Sequence, residues 1–317
     1  MAEPAGSPRA TQATELRLHR ALLLGLVQGA TEVLPVSSSA HIALLPRLAG
    51  WPHVQRDAEL RNSLEVALHA GTAVALALAL RGELGQALRA LDGRALAPAA
   101  LALALAPPAL AGYLLERRLE RRPSGPRALA TGLAVGAAAM AWADTRPGTR
   151  NLADFGPRDG LALGLAQALA LLPGVSRNGA TLTAARARGF AREDAHALSW
   201  RVGLPVIAGA AVLKASRLGQ RRTSPGAAPT LVAGAGAAFL STLAGAPLIR
   251  PGRRGWALWP FALYRAGLAL AAVGCGDRQS ADDEPWTDED EAAAAEGRAD
   301  LAAGRTVSLD EALREYE

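Results

Sequence analysis

The chain has 317 residues, of which 50% are hydrophobic, 20% charged and 4% aromatic, and it contains one cysteine. One cysteine excludes an internal disulfide scaffold, and the high apolar content excludes a chain that is disordered throughout. The net charge of +5 combines a basic body, +15 over residues 1–276, with an acidic tail, −10 over residues 277–317. A basic body suits either nucleic acid or anionic lipid.

Apolar blocks separated by arginine-rich loops divide the body of the chain. About 20 mainly apolar residues form a helix that crosses a bilayer, and six blocks reach or approach this length. An alanine-rich soluble protein rarely repeats such segments, so the pattern predicts an all-α, polytopic membrane protein with about six full spans. Nucleic acid is then not expected as a partner, because most arginines fall in loops at the membrane surface. The predicted spans are 64–80, 95–115, 128–143, 198–213, 230–249 and 256–275.

Two further apolar stretches, 21–36 and 161–173, are too short to cross and are typical of re-entrant helical hairpins. They are copies of each other, since LGLVQ at 24–28 matches LGLAQ at 163–167. Three predicted spans separate the copies, and an odd number of crossings turns the second copy upside down. The sequence therefore predicts an inverted-topology repeat, with its site where the two hairpins meet near the midplane.

This pattern also predicts the domain boundaries. A polar N-terminal segment, a membrane domain and a flexible acidic tail are expected at residues 1–17, 18–276 and 277–317. Repeat one is expected at about 18–127 and repeat two at about 128–276. The sequence at 308–311 fits a capping box, which predicts a short terminal helix. Arginines occur in loops on both predicted sides, so their distribution does not orient the protein.

Each short stretch continues into a small polar loop. The first, QGATEVLPVSSSAH, covers residues 28–41, and the second, PGVSRNGAT, covers residues 173–181. Irregular backbone at membrane depth must be buried in protein or line a wet cavity. The loops offer hydroxyls, backbone amides at helix starts and Arg177. Together these groups predict an anion-binding site, and phosphate is the most common ligand of such sites.

The ionisable residues near these loops suit phosphoryl transfer. Such groups are costly inside apolar segments and usually face a cavity or a partner. Glu32 can hold a divalent cation or act as a base, and His41 can be an acid/base or a nucleophile. Arg177 can neutralise charge on the transferring phosphoryl group. Gln28 shares a helical face with Glu32, four residues apart.

Structural roles remain open for several of these residues. Arg177 can be a helix-end anchor, and His41 an interfacial histidine. Ser37 and Ser39 can serve close helix packing. The pair Glu65 and His69 repeats the four-residue spacing, and Glu65 can instead form an ion pair with an arginine such as Arg265. Three other histidines lie in polar, arginine-bearing stretches and are predicted at the surface: His19, His53 and His196.

The two loops resemble those of the undecaprenyl-diphosphatase family, the bacitracin-resistance type of bacterial membrane phosphatase. The family's first motif is Glu/Gln-x-x-x-Glu followed by Pro-x-Ser-Ser-x-x-His. Its second motif is Pro-Gly-x-Ser-Arg-Ser-x-x-Thr, in which this chain has asparagine at the second serine. The resemblance covers about residues 18–275 and includes Phe-Ala-Leu-Tyr-Arg at 261–265. The matching residues are Gln28, Glu32, Pro35, Ser37, Ser38, His41, Pro173, Gly174, Ser176, Arg177, Asn178 and Thr181.

The resemblance implies hydrolysis of undecaprenyl diphosphate, taken from the bilayer, to undecaprenyl phosphate and inorganic phosphate. This reaction recycles the lipid carrier for cell-wall peptidoglycan synthesis and confers bacitracin resistance. The resemblance also implies a divalent cation (Mg²⁺ or Ca²⁺) and a multi-pass protein of the bacterial plasma membrane, with its site open to the outer face. Inverted repeats with broken helices are also typical of transporters, so a transporter or flippase of an anionic lipid is the alternative. A member that has lost activity, and a homodimer, also stay open.

Site roles follow from the same resemblance. Catalytic roles are expected for Glu32, Ser38, His41 and Arg177, with the cation at Glu32. Asn178 can donate to a phosphate oxygen but cannot be a nucleophile. Substrate-binding roles are expected for Gln28, Ser37, Ser39, Gly174, Ser176, Asn178 and Thr181. The residues expected to support them are Glu65, His69 and Arg265.

Overall fold

The computed structural model of the chain describes the body almost throughout and little of the two ends. The described residues are 18–51, 58–82, 85, 98–120, 125–218, 228–249, 255–282, 295, 299 and 303. The predicted N-terminal segment 1–17 and the predicted capping box 308–311 lie outside them, as does most of the predicted tail. Two compact units are present, Met1–Gly276 and Asp277–Glu317.

Helices form the regular structure of the described residues, apart from one parallel bridge between Arg150 and Phe190. Short 3-10 turns occur at Leu152–Asp154 and Ala246–Leu248. The α-helices are α1 (Leu18–Val33), α2 (Ser38–Leu48), α3 (Ala58–Ala79), α4 (Pro98–Glu120), α5 (Pro126–Asp144), α6 (Pro157–Leu169), α7 (Arg177–Ala187), α8 (Arg192–Leu218), α9 (Ala228–Gly245) and α10 (Trp259–Asp282).

Four of these helices are long and apolar enough to cross a membrane, which confirms the predicted polytopic all-α class. Their apolar segments are Leu60–Ala79, Pro98–Leu115, Arg192–Leu213 and Ala228–Leu248. The other two predicted spans are also helical but fall short. The apolar part of α10, Trp259–Cys275, is shorter. Helix α5 has only 19 residues, and Arg127 and Asp144 near its ends shorten its apolar stretch.

Two helical hairpins occur where the short apolar stretches predict them. Helices α1 and α6 have 16 and 13 residues, or about 24 and 20 Å, less than the roughly 30 Å of a hydrocarbon core. Each is followed by a polar loop and an 11-residue helix, α2 or α7. Neither hairpin arm is long enough to cross, so both loops end inside the helical assembly.

The hairpins pack on each other's halves of the chain. The ten α-helices of the described residues form two sets of five, α1–α5 and α6–α10. Helix α1 packs on α9, and α6 packs on α4, so the first helix of each set packs on the fourth helix of the other set. A Cβ at Gly25 would lie 2.3 Å from the Gly234 carbonyl oxygen, and one at Gly164 would lie 2.3 Å from that of Leu103. Both contacts require glycine at matching positions of the repeat. This exchange of partners is the contact pattern expected of an internal repeat.

One histidine prediction is wrong. His196 is buried, not at the surface, because the first turns of α8 pack beneath the segment that precedes α10. Its ring meets Trp256 edge to face with centroids 5.0 Å apart, and it has a hydrogen bond with the backbone of Ile249. His19 is exposed as predicted, and His53 lies outside the described residues.

Candidate active site

The two hairpin loops end in the same unusual backbone conformation. Ser37 (φ 77°) and Ser176 (φ 64°) are the only non-glycine residues with positive φ in the described part of the chain. Each immediately precedes a helix, α2 or α7, and they occupy matching positions of the repeat. This conformation is uncommon for non-glycine residues and persists only where surrounding structure enforces it. The two loops are therefore held by their environment.

The carboxylate of Glu32 connects the two hairpins. Ser38 Oγ donates to its Oε2 over 2.6 Å, and Gln28 Nε2 donates to the same oxygen over 3.3 Å. Arg177 Nη2, from the second hairpin, donates to Oε1 over 3.3 Å. The side chains of Glu32 and Arg177 are only 13% and 14% exposed, so water screens this pair weakly. Four predicted site residues thus meet at one carboxylate.

Arg177 has both a stacking partner and an unused donor. Its guanidinium lies 5.0 Å from the ring centroid of Trp200 on α8, a cation–π arrangement. Gly203 leaves room for it, since a Cβ there would lie 2.4 Å from Nη1. That Nη1 is buried and has no hydrogen-bond partner among the described residues. An unsatisfied cationic donor beside a polar loop is suited to bind an anion.

His41 lies one turn beyond Ser38 on the same face of α2. Its Nδ1 is 2.7 Å from the Ser37 carbonyl oxygen, and its Nε2 is 2.7 Å from the Tyr264 hydroxyl of α10. The two rings are nearly parallel, 6° apart, with centroids 5.6 Å apart. Both ring nitrogens therefore have a defined partner.

Asn178 and Thr181 lie beneath the second loop. Asn178 Nδ2 donates to the Val33 carbonyl over 3.2 Å, which joins the second hairpin to the first. Ser199 Oγ of α8 donates to Asn178 Oδ1 over 2.8 Å and lies 2.5 Å from Thr181 Oγ1. Asn178 is 3% exposed and Thr181 is fully buried, so in this structure both polar groups hold the loop in place.

Arg265 anchors the second loop to the rest of the bundle. It is fully buried, and its Nη2 donates to the carbonyls of Gly132, Gly174 and Val175 over 3.4, 3.2 and 2.9 Å. The suggested ion pair with Glu65 is not formed, because loop carbonyls take the guanidinium instead. Glu65 lies on α3, where its carbonyl is 2.8 Å from His69 Nδ1.

The remaining predicted site residues form no hydrogen bond with the Glu32 carboxylate in the described part of the chain. Ser176 caps α7, since Gly179 N donates to its Oγ over 3.2 Å. Ser37 is buried with its Oγ 3.3 Å from that of Ser39, which is itself exposed. His69 lies within electrostatic range of Glu32. Gly174, with φ +82°, packs against α5.

Sequence reasoning missed three residues that contact the site: Ser199, Trp200 and Tyr264. Each is remote in sequence from the residue that it contacts. The only available signal was a polar or aromatic residue at the start of an apolar helix. Tyr264 also lay inside the recognised Phe-Ala-Leu-Tyr-Arg stretch, where no role was predicted for it.

The donor atoms around Glu32 are compatible with a hard divalent cation. Gln28 Oε1 is buried and has no hydrogen-bond partner in the described part of the chain, and it belongs to the same cluster as the Glu32 carboxylate. Carboxylate and amide oxygens are the ligands that Mg²⁺ and Ca²⁺ prefer. The described residues hold no group of three or more His, Cys, Asp or Glu that would form an all-protein cage. Glu32 and Gln28 are the residues of this cluster that could hold such a cation.

Comparison with known proteins agrees with this geometry. The family model described as Bacitracin resistance protein BacA matches residues 21–271. An undecaprenyl-diphosphatase of Geobacter metallireducens is 38% identical over 264 residues, 80% of this chain and 96% of that protein. One of Thermomicrobium roseum is 38% identical over 278 residues, 81% and 98% of the two chains. One of Moorella thermoacetica is 41% identical over 210 residues, 63% and 76%. The chain therefore belongs to the BacA family of bacitracin resistance proteins.

Proposed function

We propose that this chain is an undecaprenyl-diphosphatase, which hydrolyses undecaprenyl diphosphate to undecaprenyl phosphate and inorganic phosphate. The observation that carries the proposal is the Glu32 carboxylate, which joins Ser38 of one hairpin to Arg177 of the other. The Ser38 hydroxyl, the Glu32 carboxylate and the buried Arg177 guanidinium supply a nucleophile, a group that orients it and a positive charge, which are the groups that phosphoryl transfer uses. The matched relatives carry this activity in their names.

The diphosphate head binds between the two loops. Arg177 directly follows the second loop and has an unsatisfied buried donor, Nη1, for which a phosphate oxygen is the partner that its charge favours. The first backbone amides of α2 and α7 add partial positive charge. The prenyl chain stays in the bilayer, along the outward apolar faces of the bundle.

Ser38 is the proposed nucleophile. Glu32 accepts the 2.6 Å hydrogen bond from its hydroxyl, orients it and takes its proton, and His41, one turn along α2, shuttles protons in the hydrolysis that follows. Attack joins Ser38 Oγ to the terminal phosphorus and breaks the bond from that phosphorus to the bridging oxygen, which releases undecaprenyl phosphate. Water then hydrolyses the phosphoserine and releases inorganic phosphate. Arg177 neutralises charge on the phosphoryl group in both steps.

Glu32 and Gln28 are the residues that would hold a divalent cation, Mg²⁺ or Ca²⁺. The support is the buried, unpartnered Oε1 of Gln28, whose Nε2 donates to the Glu32 carboxylate. When bound, the cation supplies charge neutralisation at the phosphate oxygens. The protein residues position the substrate and move the protons.

The multi-pass fold suits a site that takes its substrate directly from the bilayer. We place the protein in the bacterial plasma membrane, with its site open to the outer face, where it returns the lipid carrier to peptidoglycan synthesis and supports bacitracin resistance. Bacitracin survival of cells that carry the gene as their sole source of this activity tests this placement.

Phosphate release from undecaprenyl diphosphate by the purified protein in detergent tests the function. We expect release by the wild type and a loss of at least about 100-fold in Glu32→Ala and in Arg177→Ala. The first change removes the carboxylate that orients Ser38, and the second removes the positive charge that acts on the reacting phosphoryl group. Glu193→Ala and Arg158→Ala are matched controls, since both side chains are exposed, and they should keep the wild-type rate.

The transporter alternative makes a different prediction in the same preparation. Movement of intact labelled lipid across liposomes by the wild type, with no phosphate released, would contradict hydrolysis. Wild-type rates in Glu32→Ala or Arg177→Ala would contradict the roles given to those residues.

A further inference from the structure

The protons that His41 exchanges leave it through one nitrogen only. A carbonyl oxygen can only accept a hydrogen bond, so His41 Nδ1, 2.7 Å from the Ser37 carbonyl, carries a proton and donates it. In the neutral imidazole the other nitrogen, Nε2, is then an acceptor with one lone pair in the ring plane. Proton exchange at His41 therefore takes place at Nε2.

That lone pair faces the hydroxyl of Tyr264. The 2.7 Å distance from Nε2 to Oη is a full hydrogen bond, in which the tyrosine donates to the neutral ring. When His41 is protonated, Nε2–H donates to the same oxygen. The Tyr264 side chain is 50% exposed, so the pair is open to the surroundings of the bundle on the tyrosine side. The tyrosine hydroxyl is therefore the group through which Nε2 is connected to those surroundings.

Packing around Tyr264 holds this contact in place. The next residue, Arg265, is fully buried and bonded to the carbonyls of Gly174 and Val175, which ties α10 to the second loop. The inner faces of α2, α5 and α10 form one apolar cluster, to which Ala40, Leu133 and Ala269 respectively belong. Two consecutive residues of α10 thus contact the two loops, Tyr264 at the first and Arg265 at the second.

We propose that Tyr264 is a positioning and proton-relay residue, which holds His41 in its Nδ1-protonated tautomer and carries the protons exchanged at Nε2. In the relay, the tyrosine hydroxyl gives its proton to Nε2 as its oxygen takes one from water. The reverse transfer restores both groups, so protons balance over a turnover. The kinetic part of the inference rests on the proposed phosphatase activity, whereas the His41–Tyr264 hydrogen bond does not.

Tyr264→Phe tests the inference, because it keeps the ring that lies nearly parallel to that of His41 and removes only the hydroxyl. We expect kcat for phosphate release to fall about 10- to 100-fold with KM unchanged, since the hydroxyl acts through His41 rather than on substrate binding. Tyr113→Phe is the matched control, because Tyr113 on α4 is 70% exposed. It should keep the wild-type kcat. Thermal unfolding of each variant in detergent checks that it is folded.

A double variant separates this role from a general structural one. If Tyr264 acts through His41, Tyr264→Phe should cost no further activity once His41→Ala is present. Independent losses that multiply in the double variant would overturn the proposal, as would a wild-type kcat in Tyr264→Phe.

A spectroscopic measurement makes the test independent of turnover. The chain has five histidines, so the ¹⁵N side-chain signals of His41 are assigned by their loss in His41→Ala. We expect a neutral, Nδ1-protonated ring in the wild type and a changed Nε2 shift in Tyr264→Phe. An unchanged Nε2 shift would overturn the proposal. An inactive wild type that gives the expected shifts would instead overturn the phosphatase function and leave the hydrogen-bonded pair standing.

Discussion

Glu32 and Arg177 form a buried ion pair that one hairpin alone cannot make. Taking two charges out of water costs several kcal/mol each, and a single contact at 3.3 Å recovers only part of this. Ser38 and Gln28 add hydrogen bonds to the carboxylate, and Trp200 adds a stacked ring beneath the guanidinium. Such a site is stabilised further when an anion occupies the free donor of Arg177.

Arg177→Lys separates charge from shape at this position. Lysine keeps the positive charge but loses the planar group that both stacks on Trp200 and offers the second donor, Nη1. We expect the rate of phosphate release to fall about 100-fold, with the folded protein retained. Arg158→Lys, at an exposed position, is the control. A lysine variant with wild-type activity would show that charge alone is sufficient.

At the scale of elements, each hairpin is closed by a contact between its start and the segment after its end. In the second hairpin, Asp159 at the start of α6 binds Arg150 and Arg188, both over 2.7 Å. Arg150 also lies 4.3 Å from the ring centroid of Phe190. In the first hairpin the positions 139 residues before Asp159 and Phe190 are Arg20 and Trp51, and these two residues meet directly in a cation–π contact of 5.0 Å. The second hairpin is thus closed by ion pairs and a cation–π contact, and the first by a cation–π contact.

The second closure depends on pH in a defined direction. Burial alone would raise the pKa of the Asp159 carboxyl, but hydrogen bonds from Arg150 and Arg188 outweigh it and lower the pKa from 3.8 to about 2. Asp159 lies outside the four candidate spans. Because the folded pKa is the lower one, the contribution is complete above the unfolded value and is lost as pH falls toward 2. It amounts to about 1–2 kcal/mol, since both arginines are partly exposed.

Asp159→Asn should therefore destabilise the protein at neutral pH. We expect its melting temperature in detergent to lie below that of the wild type at pH 7, and the difference to narrow as pH falls below about 4. Arg158→Gln, which changes the adjacent exposed charge, should leave the melting temperature unchanged. A difference between Asp159→Asn and the wild type that stays constant with pH would contradict the role given to the carboxylate.

At the scale of the whole molecule, the two halves interlock through glycine contacts. Gly25 of α1 and Gly164 of α6 each face a backbone carbonyl of the opposite half at a distance that admits no side chain. The hairpins therefore approach their partner helices more closely than any larger residue allows. This approach places the two loops, and with them Glu32 and Arg177, at one point.

Alanine at either glycine should loosen this assembly. Gly25→Ala and Gly164→Ala would each place a Cβ 2.3 Å from a carbonyl oxygen, and we expect a loss of about 1–3 kcal/mol in each. Gly236→Ala on α9 and Gly112→Ala on α4 are matched controls, because nothing lies within 4 Å of a Cβ there. Melting temperatures in detergent measure all four. Equal stability of Gly25→Ala and Gly236→Ala would contradict the interlock.

The fold class and the hairpins were predictable because their signals are local. Apolar length, the repeated LGLxQ motif and the polar loops after each copy are properties of contiguous segments, and the all-α class and the family were both confirmed. Helix α5 covers the predicted stretch 128–143 and extends beyond it, but it is not among the four candidate spans, because the residues that it adds include the charged Arg127 and Asp144. The burial of His196 was missed because arginines beside it in sequence do not determine which face of α8 it occupies.

The amino-acid sequence by itself determined that this protein is a helical membrane protein with two related hairpins, and which polar residues lie in their loops. Only the tertiary structure decided which atoms meet. Glu32 meets Arg177 across 145 positions and His41 meets Tyr264 across 223, whereas Arg265 binds loop carbonyls rather than Glu65. Helical periodicity relates residues a few positions apart, but contacts between distant segments depend on how closely the helices pack, and that distance is set at glycines in both halves.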